Sequence, residues 1–239
     1  MEEKVSGIVL NGVNFGDNDK ILSIFTLEQG VISAKIKGVK KAKAKLKFAS
    51  EPFCFAEFIT VKKGKMRTVT NASLIDSFYP LREDIVKFYA GGVVLEYCKK
   101  FLQEGILSVE TFYLAINALK EISYGDNPKL ALCFFLIKAL SLSGFSLSLD
   151  GCFKCQNDLN GRVFFDYSYG GFFCEECQTP TSKEINCQTY LSLRSISLGD
   201  AVEEQDCVKP LRLLDCYVTQ KIEENLKSLK ELNKLFENA

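Results

Sequence analysis

The chain has 239 residues, 47% hydrophobic and 25% charged, with 30 basic and 30 acidic side chains and no histidine. That length holds one large domain or two modest ones, and no apolar run approaches the ~18 residues of a membrane-spanning helix. Without histidine there is no Ser-His-Asp or Cys-His nucleophile, no histidine zinc enzyme and no H-x-E deaminase site, and no compact carboxylate pair stands out to replace them, which disfavours an enzyme.

The N-terminus, Met1-Glu-Glu-Lys-Val, lacks the basic and apolar segments of a secretory signal, so the cysteines read as cytoplasmic thiols. The first part of the chain then reads as β. Val5-Ser-Gly-Ile-Val-Leu, Lys20-Ile-Leu-Ser-Ile-Phe-Thr and Val31-Ile-Ser-Ala-Lys-Ile-Lys are short runs of β-branched and aromatic residues, separated by Asn14-Phe-Gly-Asp-Asn-Asp and Glu28-Gln-Gly turns. Two more runs, starting at Phe53 and Met66, flank Lys62-Lys-Gly-Lys. Five short strands in about 75 residues suit a small closed barrel, because closure removes exposed edges. An OB-type barrel, which has five strands, is the natural candidate, and a small SH3-like barrel is the alternative.

Between the third and fourth strands, Lys35, Lys37, Lys40, Lys41, Lys43, Lys45 and Lys47 occur with no acid among them. Such a run stays solvated or awaits a polyanion, and its position implies a long flexible loop. Lys62, Lys63, Lys65 and Arg67 form a second basic turn one strand later. Residues 1–79 carry 13 Lys and Arg against 8 Asp and Glu, the remainder 17 against 22. A basic front and an acidic rear place an anionic partner on the front, and two basic loops on a barrel make a track for a phosphate backbone. Phe15, Phe48, Phe53 and Phe55 are candidate stacking residues, most of which the core will claim.

From Leu81 the apolar period becomes helical, through Ile85, Phe88, Tyr89, Val93, Leu95 and Tyr97, then Phe112, Leu114, Ala115, Ala118, Leu119 and Ile122. Pro128 opens a run over 130–142 that ends at Gly144, the signature of a buried helix. Further helices are expected over 188–197 and as one long element after Pro210, with Leu214, Val218, Ile222, Leu226 and Leu229 on its apolar face. The helices are expected to pack as one unit beside the barrel, giving domains 1–79 and 80–239.

The helical part is interrupted at 150–178 by Cys152-Phe-Lys-Cys155 and Cys174-Glu-Glu-Cys177, with eighteen residues between the pairs. Two C-x-x-C turns so spaced fit a zinc site of two knuckles, and four thiolates leave no open coordination position, so the ion is structural. Four reduced core thiols or a redox dithiol are the alternatives. Arg162-Val-Phe-Phe-Asp reads as a strand between the pairs. Cys54, Cys98, Cys133, Cys187, Cys207 and Cys216 sit among apolar neighbours and read as small buried hydrophobes.

The order of several segments resembles the RecO family, bacterial recombination mediators of DNA repair. The resemblance rests on Gly7-Ile-Val-Leu, Phe15-Gly-Asp-Asn-Asp-Lys-Ile-Leu, Ile24-Phe-Thr, Gln29-Gly-Val-Ile-Ser-Ala, Lys37-Gly-Val-Lys-Lys and Glu51-Pro-Phe. The sequence of barrel, helices, four-cysteine insertion and helices matches as well. It implies an α+β protein: an N-terminal OB fold binding single- and double-stranded DNA, then a helical domain carrying a zinc module. It also implies strand annealing and the loading of RecA onto coated single strands. The partners implied are RecR, in many bacteria RecF, and the acidic C-terminal tail of single-strand-binding protein. The basic loop here is all lysine where relatives mix in arginine, which weakens bidentate phosphate contacts. Another reading is a zinc-ribbon transcription or translation factor whose cysteine module reads nucleic acid. Against it, that module holds only Lys154 and Arg162 against Asp158, Asp166, Glu175 and Glu176. An enzyme in the acidic helical part would show itself as divalent-metal-dependent turnover of DNA.

Overall fold

The computed structural model describes residues 2–64 and 66–237, the side chain of Lys63 excepted. Five strands, β1 (Glu2–Phe15), β2 (Asp19–Thr26), β3 (Gly30–Ile36), β4 (Phe55–Lys63) and β5 (Met66–Asp76), close into a barrel in the order β1-β2-β3-β5-β4. All neighbours are antiparallel except β3 and β5, which run parallel and pair only at Ala34–Arg67, Lys35–Thr68 and Ile36–Val69. A five-stranded closed barrel in this order is the OB arrangement. The long β1 serves two partners, pairing with β4 through its first half and with β2 through its second. A bulge between Val9 and Asn11 bends it between the two.

Alternation along the strands fills the interior. Val5, Val9, Leu22, Ile24, Ile32, Ala34, Ile36, Ala56, Phe58 and Val69 pack together inside, all buried. Opposite-facing residues on β2 and β4 form a second apolar layer with α1 (Ile85–Phe101) and α2 (Val109–Tyr124). There the ring of Phe112 meets Phe25 at 5.3 Å and Phe55 at 6.1 Å, both edge-on, and Phe53 meets Phe88 at 6.0 Å. Asp84 starts α1 by accepting the Lys87 N–H at 2.9 Å, an ordinary N-cap.

Residues Met1–Ser123 form one compact unit and Tyr124–Ala239 another. By contact, α1 and α2 group with the barrel and the later helices form the other unit. The change of hydrophobic period near residue 80 marks where strands give way to helices, but α1 and α2 bury their apolar faces on the barrel.

The second unit is built around α3 (Pro128–Leu142), whose Asn127 cap accepts the Leu130 N–H at 3.0 Å. It packs against α4 (Cys187–Leu198) and α5 (Val208–Ile222). The cysteine module contributes a three-stranded sheet, β6 (Val163–Asp166), β7 (Gly171–Cys174) and β8 (Lys183–Ile185), in the order β7-β6-β8. The long last helix expected from the sequence is two, α5 and α6 (Lys227–Leu235), because Glu223 adopts a left-handed backbone at φ 55°. Glycine is the usual residue there, so the sequence carries no stop signal, and buried Leu226 and Leu229 continue the apolar spacing across the break.

Phe112 is the shared contact of the second apolar layer. Phe112→Ala is expected to lower the unfolding free energy of the first unit by about 3–5 kcal/mol, measured by urea denaturation.

Candidate nucleic-acid surface and metal centre

The lysine segment leaves β3 and returns to β4 across one end of the barrel. It is a string of turns rather than the free loop the sequence implied. The Gly38 N–H donates to Asp19 Oδ1 at 2.8 Å and the Lys40 N–H to the Asn18 carbonyl at 3.1 Å. Val39 is buried in the barrel core, Leu46 packs against it and Ala49 is buried. These apolar anchors turn inward, so Lys37, Lys40, Lys41, Lys43, Lys45 and Lys47 are all exposed. Among the described residues none of these six ammonium groups forms an ion pair.

The remaining basic candidates differ. Lys35 is half-buried, with its ammonium 2.8 Å from Asp19 and 4.4 Å from the centre of the Phe15 ring. Asp19 thereby holds both Lys35 and the start of the lysine segment, and the Lys35 and Gly38 hydrogen bonds keep its carboxyl below the usual range. Arg67 is half-buried and paired with Glu3. Lys62 is exposed at the end of β4. The Lys63 side chain and Lys65 lie outside the described residues. The strand register places these two basic groups at opposite ends of the β3–β5 seam, since Arg67 pairs with both Ala34 and Lys62 while the lysine segment begins beyond Ile36.

Of the four stacking candidates, Phe15 and Phe48 are exposed at 45% and 37%. Phe53 and Phe55 are taken by the helices, as described above. Lys35 occupies one face of Phe15, so that ring is held in place while still open to solvent.

The four cysteines do come together. Cys152, Cys155, Cys174 and Cys177 place their sulfurs within 4.8 Å of one another, with Cys155 and Cys174 3.9 Å apart. Four thiolates about 2.3 Å from one tetrahedral ion stand about 3.8 Å from each other, so the donor set fits a metal of that kind. Cys152 is buried, and the Cys174 N–H donates to its sulfur at 3.4 Å. Burial opposes ionisation of Cys152, but N–H groups of Cys155, Cys174 and Lys154 outweigh it and bring its thiol to about 6. Cys177 is pushed up to about 12, first by its hydrogen bond to Cys174, then by burial and the other two thiols. One thiolate is thus ready, while neighbouring thiols and burial hold back Cys155 and Cys177 until a cation arrives.

The loop after Cys177 is tied down by Asp166, a buried carboxylate that accepts hydroxyl bonds from Thr179 and from Thr181 at 2.7 Å. The Ser168 N–H adds a third bond at 2.8 Å. Arg162 is held by Glu184 at 2.9 and 2.7 Å and by Glu175 at 2.5 Å. Of the module's two cations Lys154 alone forms no ion pair among the described residues, which counts against this module as a reader of phosphates. Among the other cysteines, Cys54, Cys98, Cys133 and Cys207 are buried as expected, whereas Cys187 is half-buried and Cys216 exposed. Sequence reasoning missed Asp19, Asp166, Glu3 and Glu104 (the last treated below), since isolated acids carry no local signal of their partners.

These features define a class: an OB-barrel protein with a lysine-bearing end, continued by a helical unit that carries a four-cysteine cluster able to hold a metal ion. Residues 1–78 match the family described as "Recombination protein O N terminal" and residues 82–230 "Recombination protein O C terminal". A "DNA repair protein RecO" of Caldicellulosiruptor saccharolyticus is 30% identical over 82% of this chain and 81% of its own length. Relatives of the same name in Clostridium acetobutylicum, at 31% over 81% and 79%, and Streptomyces griseus, at 27% over 95% and 97%, span the chain comparably. The chain belongs to the RecO family of DNA repair proteins, which gives it a role in recombinational repair.

The Asp166 carboxyl titrates below its usual range because, although burial opposes it, the Thr179 and Thr181 hydroxyls and the Ser168 N–H favour its charged form. A carboxyl with a depressed folded-state pKa stabilises above its unfolded value, about 3.9, and loses that contribution as pH falls through the folded value. Asp166→Ala is expected to lower the melting temperature at pH 7 and to flatten the acid side of the stability profile, as read by thermal melts from pH 7 to below about pH 4.

Proposed function

We propose that the chain binds single- and double-stranded DNA without sequence preference, anneals complementary strands and helps load RecA onto single strands coated by single-strand-binding protein. The observation that carries this reading is the set of six exposed, unpaired lysines held by apolar anchors at one end of an OB barrel. Lysines neutralise phosphates and release counterions, so two like-charged strands can approach. Their flexible point charges tolerate many backbone geometries, as sequence-independent binding requires. The exposed Phe15 ring beside Lys35 offers a stacking surface that any base can use. No covalent step is involved, so the protein acts as a mediator and not as an enzyme.

Family membership supports RecR, RecF where present, and the acidic tail of single-strand-binding protein as partners, with work in the cytoplasm on the nucleoid. Among the described residues no helix is long and apolar enough to cross a membrane. The metal of the four-cysteine centre is assigned as one structural zinc, since a soft, closed tetrahedral sulfur set selects it. Cys152, Cys155, Cys174 and Cys177 would hold it and so brace a turn-rich segment.

Replacing Lys40, Lys41, Lys43, Lys45 and Lys47 together with Ala is expected to weaken binding alike for unrelated sequences. It should also flatten the dependence of log affinity on log salt by up to about 0.7–0.9 for each phosphate that is no longer neutralised. Fluorescence anisotropy at several salt concentrations reads both effects; unchanged binding would leave the lysines only a solubilising role. For the metal, elemental analysis of purified protein should find one zinc per chain. Cys174→Ser should release it and destabilise the second unit while sparing DNA binding by the barrel.

A further inference from the structure

Among the described residues β5 begins at Met66, and the first residues of β3 have no β5 partner there. The α1–α2 loop takes that place: the Gly105 N–H donates to the Val31 carbonyl at 2.8 Å, and Glu104 Oε1 accepts the Ser33 N–H at 3.1 Å. Gly30, at φ 67°, lets this loop approach, since a Cβ there would stand 2.0 Å from the Ile106 carbonyl oxygen. Between the loop, the β2–β3 turn and the β4–β5 hairpin lies a cleft of about 580 Å³ lined by Gln29, Ser33, Lys62, Met66, Arg67 and Glu104.

This cleft is electrically unlike the lysine segment. Arg67 and Gln29 both bond Glu3, the latter at 3.0 Å, and Glu104 adds a second carboxylate to the lining. Among the described residues, two cations against two carboxylates do not favour a phosphate. They suit a neutral ring with polar edges, and the exposed Met66 supplies apolar surface for one of its faces. Glu104 Oε1 is used by the Ser33 N–H, whereas no hydrogen bond to its second oxygen occurs among the described residues.

We propose that this cleft is a nucleobase subsite, in which one unpaired base donates its exocyclic amino group to the Glu104 carboxylate while the neighbouring phosphates follow the lysines. It deepens, and rests on, the DNA-binding reading above. A carboxylate accepts from the cytosine amino group and opposes the thymine carbonyl at the same ring position. That amino group is engaged by the complementary base in a duplex, so the subsite favours single strands.

The test uses the full-length protein and anisotropy with labelled oligo-dC, oligo-dT, an abasic strand of the same length, and a duplex. The parent protein is expected to bind oligo-dC more tightly than oligo-dT by roughly tenfold, with the abasic strand and the duplex no tighter than oligo-dT. Glu104→Gln keeps an acceptor for the Ser33 N–H but replaces the second oxygen with a donor. It should abolish the difference between oligo-dC and oligo-dT while leaving the salt slope and duplex affinity unchanged. The multiple lysine variant should instead weaken all four ligands. Equal binding of oligo-dC and oligo-dT by the parent, or an unaltered preference in Glu104→Gln, overturns the subsite and leaves the DNA-binding reading standing. A parent that binds none of the four ligands overturns both. Free cytidine monophosphate should compete poorly for lack of the lysine-bound phosphates; competition as strong as that of the strand would make this a free-nucleotide site and overturn the proposal.

Discussion

The barrel is closed by three residue pairs between β3 and β5, and much of the first unit follows from that short parallel seam. Parallel neighbours cannot be joined by a tight hairpin, so the chain must leave β3, cross the barrel end, run through β4 and only then return as β5. The lysine segment is that crossing. Its shape is set by the need to bury Val39, Leu46 and Ala49 while the backbone turns, and the lysines between and around those anchors are left exposed. Closure over so few residues also leaves the start of β3 without a β5 partner among the described residues, and the α1–α2 loop bonds that edge instead.

Charge is then divided by what each cation can reach. Lys20, Lys35 and Arg67 project from strands toward Glu51, Asp19 and Glu3, and their role is to hold turns and edges in place. The lysines at 37–47 have no acid within their own segment and face away from the barrel. Exposed ion pairs contribute little to stability, so leaving these lysines unpaired costs the fold almost nothing, and the charge remains available to a polyanion.

In the second unit the cysteine module meets a different difficulty. Its segments between the strands are turns with little apolar surface. Aromatic contacts on one side, such as Phe172 with Tyr190 at 5.0 Å and Phe165 with Tyr217 at 5.8 Å, attach the sheet to α4 and α5. On the other side the thiol cluster and the Asp166 hydrogen bonds provide the cross-links that a small core cannot. The placement of Cys152 in the buried layer and Cys155 in solvent shows the cluster bridging those two sides.

The sequence by itself determined five strands from runs of β-branched and aromatic residues between turns, α3 from its proline and glycine boundaries, and the four-cysteine cluster from the two C-x-x-C pairs. In each of these the interacting groups are close in sequence or the spacing is fixed by local geometry. Which barrel order the strands adopt, and that α1 and α2 join the barrel, depended on contacts between distant residues such as Phe25, Phe55 and Phe112. The break at Glu223 was hidden because burial of Leu226 and Leu229 preserved a helical spacing across it. Only the tertiary structure decided which cations are paired, which phenylalanines remain open and where Glu104 lies. A side chain's availability depends on neighbours brought in from other elements, such as Asp19 for Lys35, Glu3 for Arg67 and Ser33 for Glu104, and local sequence carries no record of them.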